Sequence, residues 1–166
     1  MSKRSAVTTR QTPVRESSSS AGALRIRTET ITIDTTTRLE VLDLTDRVMA
    51  IVHRQKVTEG LVSLCSLHTT ATVFINEFQN ALLADITTFL EASVSSDAPW
   101  RHNDARYSDC ERANADSHLR AMLLGHSLTL QLCGGELALG QWQRILMAEF
   151  DGPRPRQLRV MVLGTE

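Results

Sequence analysis

The chain of 166 residues lacks most of the features that mark common functional classes. It has no excess of either charge: the formal net charge is -1 and the arginines are scattered, so no basic field is available to hold a nucleic acid. No apolar run approaches the roughly 20 residues needed to cross a bilayer, and the amino terminus lacks the apolar centre of a secretory signal. A cytoplasmic protein with no membrane partner is expected. The three cysteines, Cys65, Cys110 and Cys133, are widely spaced with no CxxC pair, which excludes a zinc ribbon and a redox dithiol. Cys65 and Cys133 lie in apolar runs and read as small core residues. Internal repeats are absent.

What is present is an ordinary apolar fraction, 42%, enough for one domain with a normal core. Residues 1–22 are rich in Ser, Thr and Arg, carry Glu16 as their only acid, and predict a disordered tail. The same composition admits a transit peptide and an organellar location, although the amphipathic apolar face is missing. Residues 23–166 form the domain. Alternation from Leu24 through Ile33 predicts a strand, and Thr37 with Glu40 at capping-box spacing opens a helix along Val41, Leu44, Val48, Ile51 and Val52. Leu61–His68 and Thr72–Glu77 are β-rich runs, expected to pair as a hairpin or to turn sharply at the short stretch between them. A second helix spans about Asn80–Glu91, a long polar loop runs from Pro99 to Arg112, and a third helix extends from the N-cap Asn114 to Leu124, stopped by Gly125. Three strands follow: His126–Cys133, Trp142–Phe150 and Leu158–Leu163, with turns at Gly134-Gly135 and Asp151-Gly152-Pro153. This order predicts an α+β fold.

His68 at a strand end, His102 in the long loop and His118 on the third helix come from different elements. Three neutral imidazoles so supplied can hold one divalent metal with a coordination position left open, though their spacing matches no compact metal motif. His53, at a helix end, and His126, at a strand start, read as surface or hydrogen-bonded residues. Glu77, across the expected hairpin from His68, can orient a ligand imidazole, accept a proton, or simply finish a strand. Arg154 and Arg156 flank the Asp151-Gly152-Pro153 turn, where paired guanidinium groups clamp phosphate oxygens or merely solvate a strand. Trp142 can stack on a heteroaromatic ring or fill the core.

The stretches GLVSLCSLHTTATVFINE, WRHND, ANADSHLRAMLLGHSLTL and GGELALGQWQRILMAEFDGPRPRQLRV resemble the YjbQ family, from about Thr28 to the carboxyl end. The resemblance implies an α+β fold with a mainly antiparallel sheet or sandwich flanked by helices. It also implies a homotrimer and a histidine cluster near a subunit interface, corresponding to His68, His102 and His118. The activity it implies is a metal-dependent thiamine-phosphate synthase, a transferase that couples a pyrimidine methyl diphosphate to a thiazole phosphate with release of diphosphate. In that reading a divalent ion, zinc-like or magnesium, and Arg154 or Arg156 neutralise charge on the phosphorylated substrates, Trp142 packs on a substrate ring, and Glu77 handles protons. Two alternatives stand beside it: a metal-dependent hydrolase of a phosphorylated or amide small molecule, and a non-enzymatic metal- or anion-binding trimer.

Overall fold

The structure, a computed structural model, describes residues 19–166. The expected tail, and its reading as a transit peptide, lie outside the described residues up to position 18; residues 19–22 are exposed, and Ser20 Oγ lies 2.6 Å from Thr165 Oγ1.

Two antiparallel sheets and three helices make an α+β fold. The five-stranded sheet has the order β1 (Arg25–Asp34), β8 (Pro155–Thr165), β3 (Glu59–Ser66), β5 (Ser127–Cys133), β6 (Glu136–Leu137). The three-stranded sheet runs β2 (Glu40–Asp43), β7 (Arg144–Glu149), β4 (Ala71–Asn76). The helices are α1 (Thr45–Gln55), α2 (Asn80–Ser93) and α3 (Ala115–Leu124).

Strand periodicity explains the layering. Along β8, Arg156, Leu158, Val160 and Val162 are buried while Gln157 and Arg159 are exposed, so one face of the larger sheet turns inward. Joined by Val62 and Leu64 of β3, that face meets Val48, Ile51 and Val52 of α1 and Val73, Ile145 and Met147 of the smaller sheet. The other face of the smaller sheet, with Phe74, Ala148 and the following Phe150, packs on Leu90 of α2 and Ala121 of α3. The smaller sheet is thus a middle layer covered on both sides, which is why β7 is apolar in both phases.

Three local expectations need correction. The helix expected from Thr37 begins at Thr45, because Val41 and Leu42 pair with Ala148 and Met147 in the smaller sheet. Sheet pairing overrides the three-and-four spacing, and Glu40 accepts the Thr36 N–H at 2.6 Å instead of closing a capping box. The helix start is built by Asp43, whose Oδ1 accepts from the Thr45 N–H at 2.9 Å and the Thr45 hydroxyl at 2.6 Å. Second, β3 and β4 do not form a hairpin: residues 67–70 carry the chain from one sheet to the other. Third, β7 starts at Arg144, leaving Trp142 in a turn and 48% exposed, not in a strand or the core. No helix among the described residues is long and apolar enough to cross a membrane.

Candidate functional site

At one end of the interlayer, apolar packing gives way to polar side chains. Glu149 continues the phase of Ile145 and Met147 and therefore points from β7 toward the larger sheet, where Arg156 of β8 points back. Both are buried, and the guanidinium grips the carboxylate in two places: Nη2 donates to Oε1 at 2.5 Å, and Nε donates to Oε2. Nη2 also donates to Thr70 Oγ1 at 2.9 Å, and the Asp151 N–H donates to Glu149 Oε1 at 2.7 Å. The pair therefore fastens together the end of β7, the start of β8 and the crossing between sheets.

The Asp151-Gly152-Pro153 turn sits directly above it. Gly152 is required by close approach, since a Cβ there would overlap the Thr37 carbonyl oxygen and stand 2.9 Å from Thr35 Oγ1. Buried Asp151 accepts from Arg112 Nε at 2.9 Å and Asn114 Nδ2 at 2.9 Å, and has Arg154 Nη1 at 3.6 Å. Burial pushes the Asp151 carboxyl up, but the hydrogen bonds from Arg112 and Asn114 and the charges of Arg112 and Arg154 outweigh it and hold the group below its usual 3.8. Asp151 thus anchors two partly exposed guanidinium groups, Arg112 and Arg154.

The histidines divide. His102 lies on a 3₁₀ turn, Arg101–Asn103, and this loop folds back onto the helix that follows it: Asn103 Oδ1 accepts the Ala115 N–H at 2.9 Å. His118 projects from the second turn of α3 beside it, and Ser117 Oγ ties the same turn to the Phe150 carbonyl at 2.7 Å. The two rings meet edge to face with centroids 5.0 Å apart, in a pocket of about 340 Å³ lined by Trp100, Arg101, His102, Ala115, His118 and Leu119. Burial, and then the neighbouring His102, lower the His118 value below 6.5 against the opposing pull of Asp151 and Asp116, so this imidazole is neutral and keeps a lone pair at neutral pH.

His68 stands apart from that pair. It follows β3, and its Nε2 accepts the Gln157 N–H at 2.8 Å. Its value is lowered by burial, then by Arg156 and Arg154, with Glu149 opposing. Among the described residues no three metal-capable side chains gather in one place, so the expected trio reduces within one chain to His102 and His118. Two imidazoles suit a zinc-like ion and are poor donors for magnesium, which prefers oxygen.

The remaining expectations fall into place by register. Glu77 follows β4, whose six residues from Ala71 to Asn76 carry it roughly 20 Å at about 3.3 Å per residue from the end near His68. Asn76 pairs with Arg144, so Trp142 lies at that same distant end. Neither joins the histidines. Arg156 is spent in the buried pair and is not at a loop mouth; of the two expected arginines only Arg154 offers a partly exposed guanidinium. Arg112, Asp151 and Glu149 were not anticipated. Glu149 carried a signal, an acid closing the apolar run ILMAE. His126, expected at the surface or hydrogen-bonded, instead buries its Nε2 without a partner among the described residues.

A family model for UPF0047 protein YjbQ-like sequences matches residues 29–165. The chain belongs to the UPF0047/YjbQ family. A UPF0047 protein of Methanothermobacter thermautotrophicus is 40% identical over 141 residues, covering 85% of this chain and 94% of that one. YugU of Bacillus subtilis, another UPF0047 protein, is 32% identical over 136 residues, covering 82% and 98%. A crystal structure of a YbjQ-like protein of unknown function from Sulfolobus solfataricus superposes with a TM-score of 0.79 at 31% identity, over 86% of this chain and 99% of that one. The fold expected from the resemblance is therefore the fold of the family. The thiamine-phosphate synthase activity expected from it does not stand. These UPF0047/YjbQ relatives are named for the family alone or described as of unknown function, and none brings a thiamine-phosphate synthase with it.

Proposed function

We propose that this UPF0047/YjbQ protein holds a divalent, zinc-like cation on His102 and His118 and presents it to a small phosphorylated molecule bound by Arg154 and Arg112. The observation that carries the reading is the edge-to-face approach of the two imidazoles, 5.0 Å between centroids, at the mouth of a pocket. Arg101 lines the same pocket, and Asp151, which acts on His118 through its charge, also anchors Arg112 and Arg154. Cation donors and anion donors thus flank one loop. When bound, such a cation supplies Lewis acidity toward a phosphoryl oxygen. The chain's own part is positional: Asn103 fixes the His102 loop on α3, Ser117 fixes α3 on Phe150 just beyond β7, and Asp151 keeps the guanidinium groups aimed.

Two imidazoles leave further coordination positions to be filled, and a homotrimer is part of the proposal. Phe89 of α2 and Met122 and Leu123 of α3 are 64%, 63% and 55% exposed, apolar surface of the kind a second copy covers.

Calorimetric titration with zinc, on the parent and on His102→Ala and His118→Ala, tests the cation site. Each variant is expected to bind at least about 10-fold more weakly while unfolding at the parent temperature. Undiminished affinity in both would overturn the assignment. Inorganic phosphate should bind the zinc-loaded parent more tightly than zinc-loaded Arg154→Ala; equal affinities would remove the arginine from the site.

A further inference from the structure

On the neighbouring face of α3 lies a larger cavity, about 640 Å³, that the histidine site does not use. Ala115, His118 and Leu119 line the histidine pocket, whereas Asp116 and Arg120 line this one. One helix therefore serves two separate recesses, and the loop between α2 and α3 walls both.

The floor of the cavity is charged and buried. Asp116 is 1% exposed and Arg120 is 5% exposed. They pair at 3.3 Å, and Arg120 also donates to the Val94 carbonyl, from Nε at 3.2 Å and from Nη2 at 2.8 Å. Buried Arg120 thus offsets the charge of Asp116. A second guanidinium reaches in from the segment between β1 and β2: Arg38 Nη2 lies 3.3 Å from Asp116 Oδ1, a long contact made by a side chain that is 53% exposed. Arg38 carries the unbalanced positive charge and has donors to spare. Glu91, at the end of α2, and Asp97 bring two negative charges to the same walls. Ala113, also on the wall, has φ 50, a left-handed conformation that L residues other than Gly, Asn and Asp seldom hold. Backbone strain of this kind concentrates at binding sites.

An anion alone would meet Arg38 but be repelled by two carboxylates; a cation alone would meet the carboxylates but be repelled by Arg38. A molecule carrying both charges satisfies both walls. We propose that this cavity binds a small zwitterion, its carboxylate or phosphate held by the Arg38 guanidinium and its ammonium group held by Glu91 and Asp97. The volume falls in the range of small-molecule sites and accommodates an amino acid or an aminoalkyl phosphate with bridging solvent. Asp116 and Arg120 act as positioning residues, the first holding Arg38 across the cavity floor and the second holding Asp116.

Calorimetry on the full chain with γ-aminobutyrate, phosphoethanolamine, inorganic phosphate and ethanolamine tests this. At least one of the two zwitterions is expected to bind 10-fold or more tightly than phosphate or ethanolamine, and the stronger of the two identifies the anionic group. Arg38→Ala and the surface change Glu91→Gln should each weaken that binding, by about 10-fold for the arginine, while His118→Ala leaves it unchanged. Failure of both zwitterions to bind, phosphate or ethanolamine binding as tightly as the stronger zwitterion, or full affinity of that zwitterion in Arg38→Ala would overturn the proposal. Loss of binding in His118→Ala with retention in Arg38→Ala would move the ligand to the histidine pocket and equally refute it.

Discussion

The Glu149–Arg156 pair offers the most demanding test of how the site end is held. Glu149 is 0% exposed and Arg156 3%, so each charge relies on the other rather than on water. Removing one partner of a buried pair costs about 3–5 kcal/mol, because the survivor is left uncompensated. Glu149→Gln keeps an acceptor for the Asp151 N–H but strands the guanidinium; Arg156→Gln strands the carboxylate. With a urea m-value of about 2 kcal/mol/M, either change should lower the unfolding midpoint by roughly 1.5–2.5 M. Placing Gln at both positions leaves no buried charge, so the double variant should be more stable than the sum of the single losses predicts, by about 3 kcal/mol or more. Urea denaturation of the four proteins measures all of this. Single losses under about 1 kcal/mol, or losses that add within about 0.5 kcal/mol, would refute the reasoning.

Two further outcomes follow from the same packing. Asp151 titrates below its unfolded value, so the stability it contributes is fully present above that value and is lost as the pH falls through the lower, folded one. The difference in unfolding temperature between the parent and Asp151→Asn should therefore be large at pH 7 and close progressively below about pH 4; a gap that persists at pH 2 would assign the effect to packing instead of charge. Gly60 of β3 faces Gly164 of β8, and a Cβ on Gly60 would overlap the Leu163 carbonyl and stand 2.7 Å from the Gly164 Cα, both backbone atoms. Gly60→Ala should cost upward of about 3 kcal/mol in chemical denaturation, and a variant that unfolds with the parent would show that the two strands slide apart freely.

The outer parts of the fold were legible where one element carries its own signal. The alternation of β8 and the Asn114 and Gly125 limits of α3 appear in the sequence as they do in space, although Asn114 spends its side chain on Asp151 and not on a cap. Val41 misled because a residue at helical spacing was claimed by β7, a partner about a hundred positions away. The division into two sheets was equally hidden, since β3 and β4 are adjacent in sequence and share no ladder. Within the candidate site the same rule holds. His102 and His118 meet because a loop folds onto the helix that follows it, a local event. His68 joins them by its chemistry and by the family resemblance, whereas within one chain the placement of β3 against β8 engages its Nε2 with Gln157.

Parity could have gone further than type. Arg156 shares its phase with Leu158, Val160 and Val162, and Glu149 shares its phase with Ile145 and Met147. A strand that buries one face cannot expose the end of that same face without a bulge or a twist, so both charges were bound for the interior. Two opposite charges entering one interlayer from facing sheets are stable only if they meet. The arginine available for a ligand at the turn is Arg154, which precedes β8 and keeps a partly exposed guanidinium, and the acid that steadies it is Asp151, two residues beyond Glu149. The ion pair therefore reserves one arginine for structure and leaves the other for chemistry, and a Glu149→Gln protein should lose stability while retaining the affinity for phosphate that Arg154 supplies.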